Sequence, residues 1–432
     1  MDTPVRTSVD LIKPGIDRWL IALYFLLVLI GLFSIFAVEH RPGEDVWYNI
    51  WHLNKNYSRQ LMWVGVSLIL ALGILLADSK IFPALANLMY VFGILLLLLV
   101  LAVGKDIKGS HSWLVIGGFQ FQPAEFTKLT TNLALAKYLS RLDVDFSTLR
   151  ARLIAIGLIL LPAAIIVLQS ETGLALVYLS FFLALYREGL PGIILLIGFS
   201  AIVLVLSALL VEKHILLMIF SVTAALVIYF MRRSFRRHPG RLFLILFIWG
   251  FCSLFVMQIV PYIFTHVLKP YQVSRINVML GKEVSQKSSY NVLQSKIAIG
   301  SGGLWGKGYL KGTQTRYEFV PEQSTDFIFC TIGEDFGFLG SVVLLGVYLL
   351  MLFRIVNIAE RQRSTFSRIY AYGLASILFF HVAINIGMTV GLAPVIGIPL
   401  PWMSYGGSSM ITFTMMLFIL IRLDADRQRI LR

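Results

Sequence analysis

Long apolar runs separated by short polar ones dominate the chain. They predict helices at 19–38, 60–77, 80–103, 122–140, 152–168, 171–186, 190–211, 213–231, 242–264, 339–357, 368–390 and 405–422. A hydrocarbon layer about 30 Å thick takes roughly 20 apolar residues of helix. The pattern therefore predicts an all-α polytopic membrane protein with about twelve transmembrane helices. The run at 122–140 is the least hydrophobic and opens on Gln122-Pro123-Ala124-Glu125. Proline suits such a start, because its missing N–H would have no helical partner there. The first run, Trp19 to Val38, is too long for the apolar part of a cleaved leader and reads as a retained helix.

Composition excludes an ordinary soluble domain. Of 432 residues, 58% are hydrophobic and 14% charged, with a mean hydropathy of +0.81, where soluble domains carry about a quarter charged residues. No hydrophilic segment is long enough to form a separate domain, so residues 1–432 read as one membrane domain. The net charge of +14 does not imply nucleic acid, because its cations cluster in short loops. Arg141, Arg150 and Arg152 form one group; Arg232, Arg233, Arg236, Arg237 and Arg241 a second; Arg354, Arg361, Arg363 and Arg368 a third; Arg422, Arg427, Arg429 and Arg432 the last. All fall on one side if both termini are cytoplasmic, while the loops 169–171 and 391–404 carry no Lys or Arg. The charge thus reads as topology and as attraction to anionic membrane lipids. Cys252 and Cys330 are isolated and give neither a zinc signature nor a disulfide framework.

The one large non-helical stretch, about 265–338, then lies outside the cell membrane as an extracytoplasmic loop, and long loops of this kind are usually functional. It holds Gly300, Gly302, Gly303, Gly306, Gly308 and Gly312 around Lys296, Lys307 and Lys311. A phosphate loop is ruled out, because Ser301 and Gly308 stand where the motif needs Gly and Ser or Thr.

Ionisable and polar residues in apolar spans are costly, so each is a candidate for function. Glu125 and Lys128 share a face of the fourth span, where a buried structural pair and a functional pair are both open readings. Glu171, Glu334, Asp335 and Asn385 stand at or near span ends, and packing is the preferred role for Glu171 and Asn385. The stretch from Gly391 through Pro394, Gly397, Pro399 and Pro401 to Ser404-Tyr405-Gly406-Gly407-Ser408 breaks the helical pattern. At membrane depth such backbone survives only where protein shields it or it lines a wet cavity, which predicts a re-entrant turn facing an outward cavity.

Several motifs in order now carry a resemblance. They are Gln122-Pro-Ala-Glu125-Phe-Thr-Lys128, Gln294-Ser-Lys296-Ile-Ala-Ile-Gly300-Ser-Gly-Gly303, Gly306-Lys307-Gly308 and Gly312-Thr-Gln314. Pro321-Glu322-Gln-Ser-Thr325-Asp326-Phe, Gly333-Glu334-Asp-Phe-Gly337, Asn385-Ile-Gly387-Met388 and Ser404-Tyr-Gly-Gly-Ser408 follow. Together they resemble the SEDS family of peptidoglycan polymerases over nearly the whole chain, and within it the RodA-type branch. Family members commonly have ten spans, so 187–241 reads as an inserted helix pair. The resemblance implies a glycosyltransferase that polymerises lipid II into glycan strands during cell elongation, in the bacterial inner membrane and with a class B penicillin-binding protein as partner. The substrate-binding candidates are Glu125, Lys128, Lys296, Lys307, Asp326, Ser404 and Tyr405.

The family's usual catalytic carboxylate is an Asp in an Asp-Pro of the outer loop. Here Ser285 and Gln286 occupy that place, with one residue deleted before Tyr290. A serine hydroxyl cannot act alone as a general base, which makes Glu283 the substitute candidate. Ser170-Glu171-Thr172-Gly173 replaces the family's Pro-Asp-Leu-Gly, Ser324 stands where His often precedes Thr-Asp-Phe, and Ser112 replaces an Arg before Trp113. Two alternatives accordingly stay open: a lipid-linked precursor transporter, or a catalytically weakened SEDS-like scaffold for a transpeptidase.

Overall fold

A computed structural model of the chain describes residues 15–107, 110–116, 119–235, 238–282 and 286–427. Helices α1 (Arg18–Glu39), α2 (Val46–His52), α3 (Asn56–Leu76) and α4 (Ile81–Val103) lead into a small antiparallel sheet of order β1-β2-β3 (Lys105–Ile107, Ser110–Ile116, Phe119–Phe121). Then come α5 (Pro123–Leu139), α6 (Leu149–Leu168), α7 (Thr172–Val177), α8 (Phe181–Arg187), α9 (Gly192–Leu210), α10 (Lys213–Phe235) and α11 (Gly240–Leu254). The short α12 (Val260–Tyr262), then α13 (Pro270–Met279), α14 (Gln286–Ser301) and α15 (Thr313–Arg316) lead to α16 (Ile328–Arg361), α17 (Thr365–Val390) and α18 (Gly407–Ala425).

Ten helices among the described residues are long and apolar enough to cross a membrane. The two remaining expected spans are α5, which is shorter and more polar, and the broken helix Thr172–Arg187. The polytopic all-α fold therefore stands. The 265–338 stretch differs from expectation: α13, α14, α15 and the first turns of α16 lie within it, so it is largely helical. These helices escape an apolar-run reading because they are amphipathic rather than apolar. In α14, Val292, Ser295 and Ala298 are buried at three-residue spacing, while Leu293, Lys296 and Ile297 are exposed.

The chain forms two compact units, one of Pro191–Ser289 and one of the residues on either side of it. In the smaller unit α9 and α11 bury no residue, and large apolar side chains such as Phe199, Phe243 and Phe247 face outward. An apolar surface is the stable one when the solvent is lipid. Pro261 sits between π-helical turns at Phe255–Ile259 and Ile263–Val267. A proline cannot donate to the preceding turn, and widened turns accommodate the loss.

The larger unit is built the other way about. Its centre is α5 with α17 and α18, which bury most of their residues, polar ones included: Thr127, Thr130, Thr131, Asn132, Asn385, Thr412 and Thr414. Helices this polar cannot face lipid, so the more apolar ones surround them. Close approach needs small residues; a side chain at Gly373 would collide with Asn132, whose Nδ2 donates to Tyr370 O at 3.0 Å. At the arginine-rich end, Asp17 caps α1 and pairs with Arg354 and Arg361 (2.9 and 3.1 Å). Asp424 pairs with Arg361 and with Arg427. One ion cluster thus ties α1, α16 and α18.

The glycine run has a backbone explanation. Helix α16 breaks at Gly337 (φ 65°, ψ −157°). The break frees two N–H groups and two carbonyls, and the 302–308 loop meets all four. Phe338 N donates to Gly303 O (2.9 Å) and Leu339 N to Leu304 O (3.2 Å), while Lys307 N donates to Glu334 O (3.0 Å) and Gly308 N to Asp335 O (2.9 Å). Two main chains can lie this close only without side chains: a Cβ on Gly302 would strike Gly333 O, and one on Gly306 (φ 81°) would strike Asp335 O.

Gly306→Ala should therefore lower stability by about 1–3 kcal/mol or more, through strain and lost backbone bonds. Gly300→Ala, in a helical turn with open space around it, should be neutral or stabilising by up to about 1 kcal/mol. Thermal unfolding in detergent checks the pair; equal effects at both positions would refute the backbone explanation.

Candidate functional site

Residues 391–406, between α17 and α18, contain no helix, yet Ile398, Leu400, Trp402, Met403 and Ser404 are buried. Buried backbone must find hydrogen-bond partners. Here neighbouring elements supply them. Asn385 Nδ2 donates to Ile398 O (2.7 Å), Tyr348 OH to Pro401 O (2.6 Å) and Gln60 Nε2 to Ser404 O (3.4 Å). Gly406 N donates to Gln60 Oε1 (3.2 Å), and Leu400 N to the Ser404 hydroxyl (2.8 Å). Trp402 holds a left-handed φ of 62°, unusual for a bulky residue, and is edge-on to Tyr24 and Phe413.

The charged pair meets this segment through a histidine. Lys128 is fully buried, its Nζ 2.9 Å from Glu125 Oε2 and 2.9 Å from His381 Nε2, with the Phe413 ring centre 4.9 Å away. His381 Nδ1 lies 3.0 Å from Pro399 O. An ammonium only donates and a carbonyl only accepts. The partners thus assign a neutral imidazole with its proton on Nδ1, donating to Pro399. Glu125, Lys128 and His381 form one buried chain ending on the irregular segment.

Other sequence candidates reach the same segment. The Lys296 ammonium lies against Gly391, and Ser295 of the same helix donates to Thr389 O (2.9 Å). The Asp326 carboxylate lies beside Gly397, and its main-chain carbonyl accepts from Asn385 Nδ2 (2.8 Å). Tyr405 N donates to Ser324 O (2.8 Å). Gly173 packs on Ile396 O, and its neighbour Glu171 accepts from the Ser112 hydroxyl (2.8 Å). The substitutions at Ser112 and Glu171, far apart in sequence, are therefore in contact: where the family resemblance leads one to expect Arg and Asp, a shorter donor meets a longer acceptor.

Lys307 is placed elsewhere. Its Nζ is 2.7 Å from Glu334, a fully buried carboxylate. Glu334 also accepts from the backbone N–H groups of Thr313 (2.8 Å), Gln314 (2.9 Å) and Thr315 (2.8 Å). A carboxylate at the start of α15 satisfies donors that have no helical partner. Glu283 and Ser285 lie outside the described residues. His381, Gln60 and Tyr348 were not singled out by the sequence; His381 carried the available signal, an ionisable side chain inside an apolar span.

A polytopic helical membrane protein with a buried charged centre, roofed by an irregular segment on which distant motifs converge, defines the class. The cell cycle protein family model FtsW/RodA/SpoVE matches residues 17–244 and 241–429, and the chain belongs to that family. Peptidoglycan glycosyltransferase RodA of Treponema pallidum is 32% identical over 95% of this chain and 97% of its own. Peptidoglycan glycosyltransferase MrdB of Escherichia coli K12 is 32% identical over 89% and 88%. A chain from a solved peptidoglycan synthase complex that coordinates polymerization and crosslinking superposes with a TM-score of 0.69 at 26% identity, covering 95% of this chain and 98% of that one. Rod shape determining protein RodA of Thermus thermophilus gives 0.61 at 25%, covering 95% and 97%.

Lys128→Ala should cost roughly 3–5 kcal/mol of stability, because Glu125 is left buried without its cation. Glu125→Gln combined with Lys128→Met should recover much of that loss, whereas Lys80→Ala at a helix end should cost little. Unfolding midpoints of the four proteins check this; a Lys128 effect no larger than that of Lys80 would mean the pair is not buried.

Proposed function

We propose that the chain is the peptidoglycan glycosyltransferase of a cell-elongation synthase, polymerising lipid II with a class B penicillin-binding protein as partner. The family match across both halves of the chain carries this reading. The chemistry has defined needs. An acceptor sugar hydroxyl attacks the donor's anomeric carbon, and the bond from that carbon to the pyrophosphate oxygen breaks. The hydroxyl proton passes to a carboxylate, and the departing lipid pyrophosphate is stabilised by cations. Lys296, exposed beside Gly391, is suited to the pyrophosphate. Asp326, Ser404 and Tyr405 lie along the same segment and are suited to the sugars, with Glu125 and Lys128 beneath it. Lys307 acts through the loop that it ties to Glu334.

Glu283 is the proposed general base, since Ser285 stands at the family's carboxylate place. Glu283→Gln should cut polymerisation of lipid II by roughly 100-fold or more while folding and partner binding persist. A gel assay for glycan polymer with the cognate transpeptidase measures it, and wild-type turnover in that variant excludes Glu283 as base. Ser285 and Gln286 also favour a second reading, a scaffold that positions the transpeptidase; wild-type protein making no polymer even with its partner would support it.

The protein sits in the inner membrane with both termini cytoplasmic and the 265–338 stretch outside, and 187–241 supplies the inserted helix pair. Cysteines at Ser234 and Ser285, in a background lacking Cys252 and Cys330, should label from opposite faces. Labelling of both from outside intact cells would overturn this orientation.

A further inference from the structure

The end of the bundle near Arg141 has a feature that the transferase reaction does not use. A crevice of about 480 Å³ opens between α4, α5 and α6. Its walls are apolar, with Val91, Ile154 and Leu158 among them, and its mouth carries Lys137, Tyr138 and Arg141. At its inner end Tyr90 OH donates to Leu158 O (2.9 Å). Tyr90 sits about 14 Å along α4 from Ile81, at about 1.5 Å per residue, so the crevice runs from the helix ends into the apolar layer.

We propose that this crevice binds one anionic phospholipid from the surrounding leaflet. Charge and polarity at each depth match that occupant. Among the described residues Lys137 makes one hydrogen bond, to Ala84 O (3.2 Å), and an ammonium has three protons to give. Arg141 is held at the mouth by Asp143 (2.9 and 2.5 Å) in an exposed pair, which a phosphate can displace. Asn87 lines the crevice from an exposed position on α4, among the exposed apolar residues Leu85, Leu88 and Val91. A bare amide there is costly in hydrocarbon; the glycerol ester region of a seated lipid supplies its partners. The apolar walls take the acyl stems. Basic pockets between helices are the physical type of site that holds anionic headgroups.

Native mass spectrometry of the detergent-purified full chain, titrated with phosphatidylglycerol and phosphatidylcholine of identical acyl chains, tests the site. Phosphatidylglycerol should be retained more tightly, by roughly 5-fold for each cation engaged. Lys137→Gln with Arg141→Gln should bring it down to the phosphatidylcholine level, whereas Lys80→Gln with Arg150→Gln should not. Asp143→Asn, which frees Arg141, should tighten binding. Leu158→Trp, which fills the crevice without altering charge, should abolish the preference and keeps the test decisive if the charge variant fails to fold. Equal retention of the two lipids, or an undiminished preference in the charge and Trp variants, would overturn the proposal. So would displacement of phosphatidylglycerol by a polyprenyl phosphate, because the crevice would then belong to the substrate path.

Discussion

A main-chain N–H or C=O left bare in hydrocarbon costs several kcal/mol, and this penalty governs the larger unit more than any pairing of charges. Among the described residues, helical backbone breaks most sharply at the segment 391–406 and at the kink at Gly337. Each is repaired by a different device. At Gly337 a second main chain supplies donors and acceptors, which requires glycines on both strands of the contact. Around 391–406 side chains do the work, from Gln60 on α3, Tyr348 on α16 and His381 and Asn385 on α17. The motifs are scattered in sequence because the groups that repair a broken backbone must come from whichever helices surround it.

The same penalty accounts for the order of polarity across the bundle. Once an irregular segment is placed at the centre, its partners must be polar, and the helices that carry them must be covered by others. Helices α5, α17 and α18 are therefore the polar, buried ones, and more apolar helices cover them: α4 and α6 pack on α5, α16 on α17 and α3 on α18. Glu125 and Lys128 belong to this logic. Their ion pair feeds through His381 into Pro399 O, so the pair holds main chain as well as charge.

The spans were legible in the sequence because lipid imposes a run length that few other environments demand; α4 was expected at 80–103 and is found at Ile81–Val103. Helices α13 and α14 were not, since their apolar positions recur every three or four residues within polar sequence and leave no continuous run. The start of α16 was placed at 339 rather than Ile328, because Glu334, Asp335 and Gly337 read as a loop; only the facing 302–308 backbone makes a kinked helix affordable there. The site was legible as motifs, including Lys296, Asp326 and Ser404. Their convergence was not, because it depends on contacts such as Asn385 to Asp326 across 59 residues and Gln60 to Ser404 across 344.

The buried chain also has a consequence for synthesis. Lys128 and His381 are separated by 253 residues, so the ribosome completes α5 long before α17 and α18, which carry His381 and Phe413. During that interval the polar face of α5 has neither His381 nor Phe413 to rest on. Glu125 is already present, one helical turn away at i,i+3. Two charges that neutralise each other within one turn let the first half of the nascent helix wait in the membrane without net charge, the remaining cation, Lys137, lying in its last turn. The spacing that looks like a detail of the finished centre is thus equally a provision for the unfinished one.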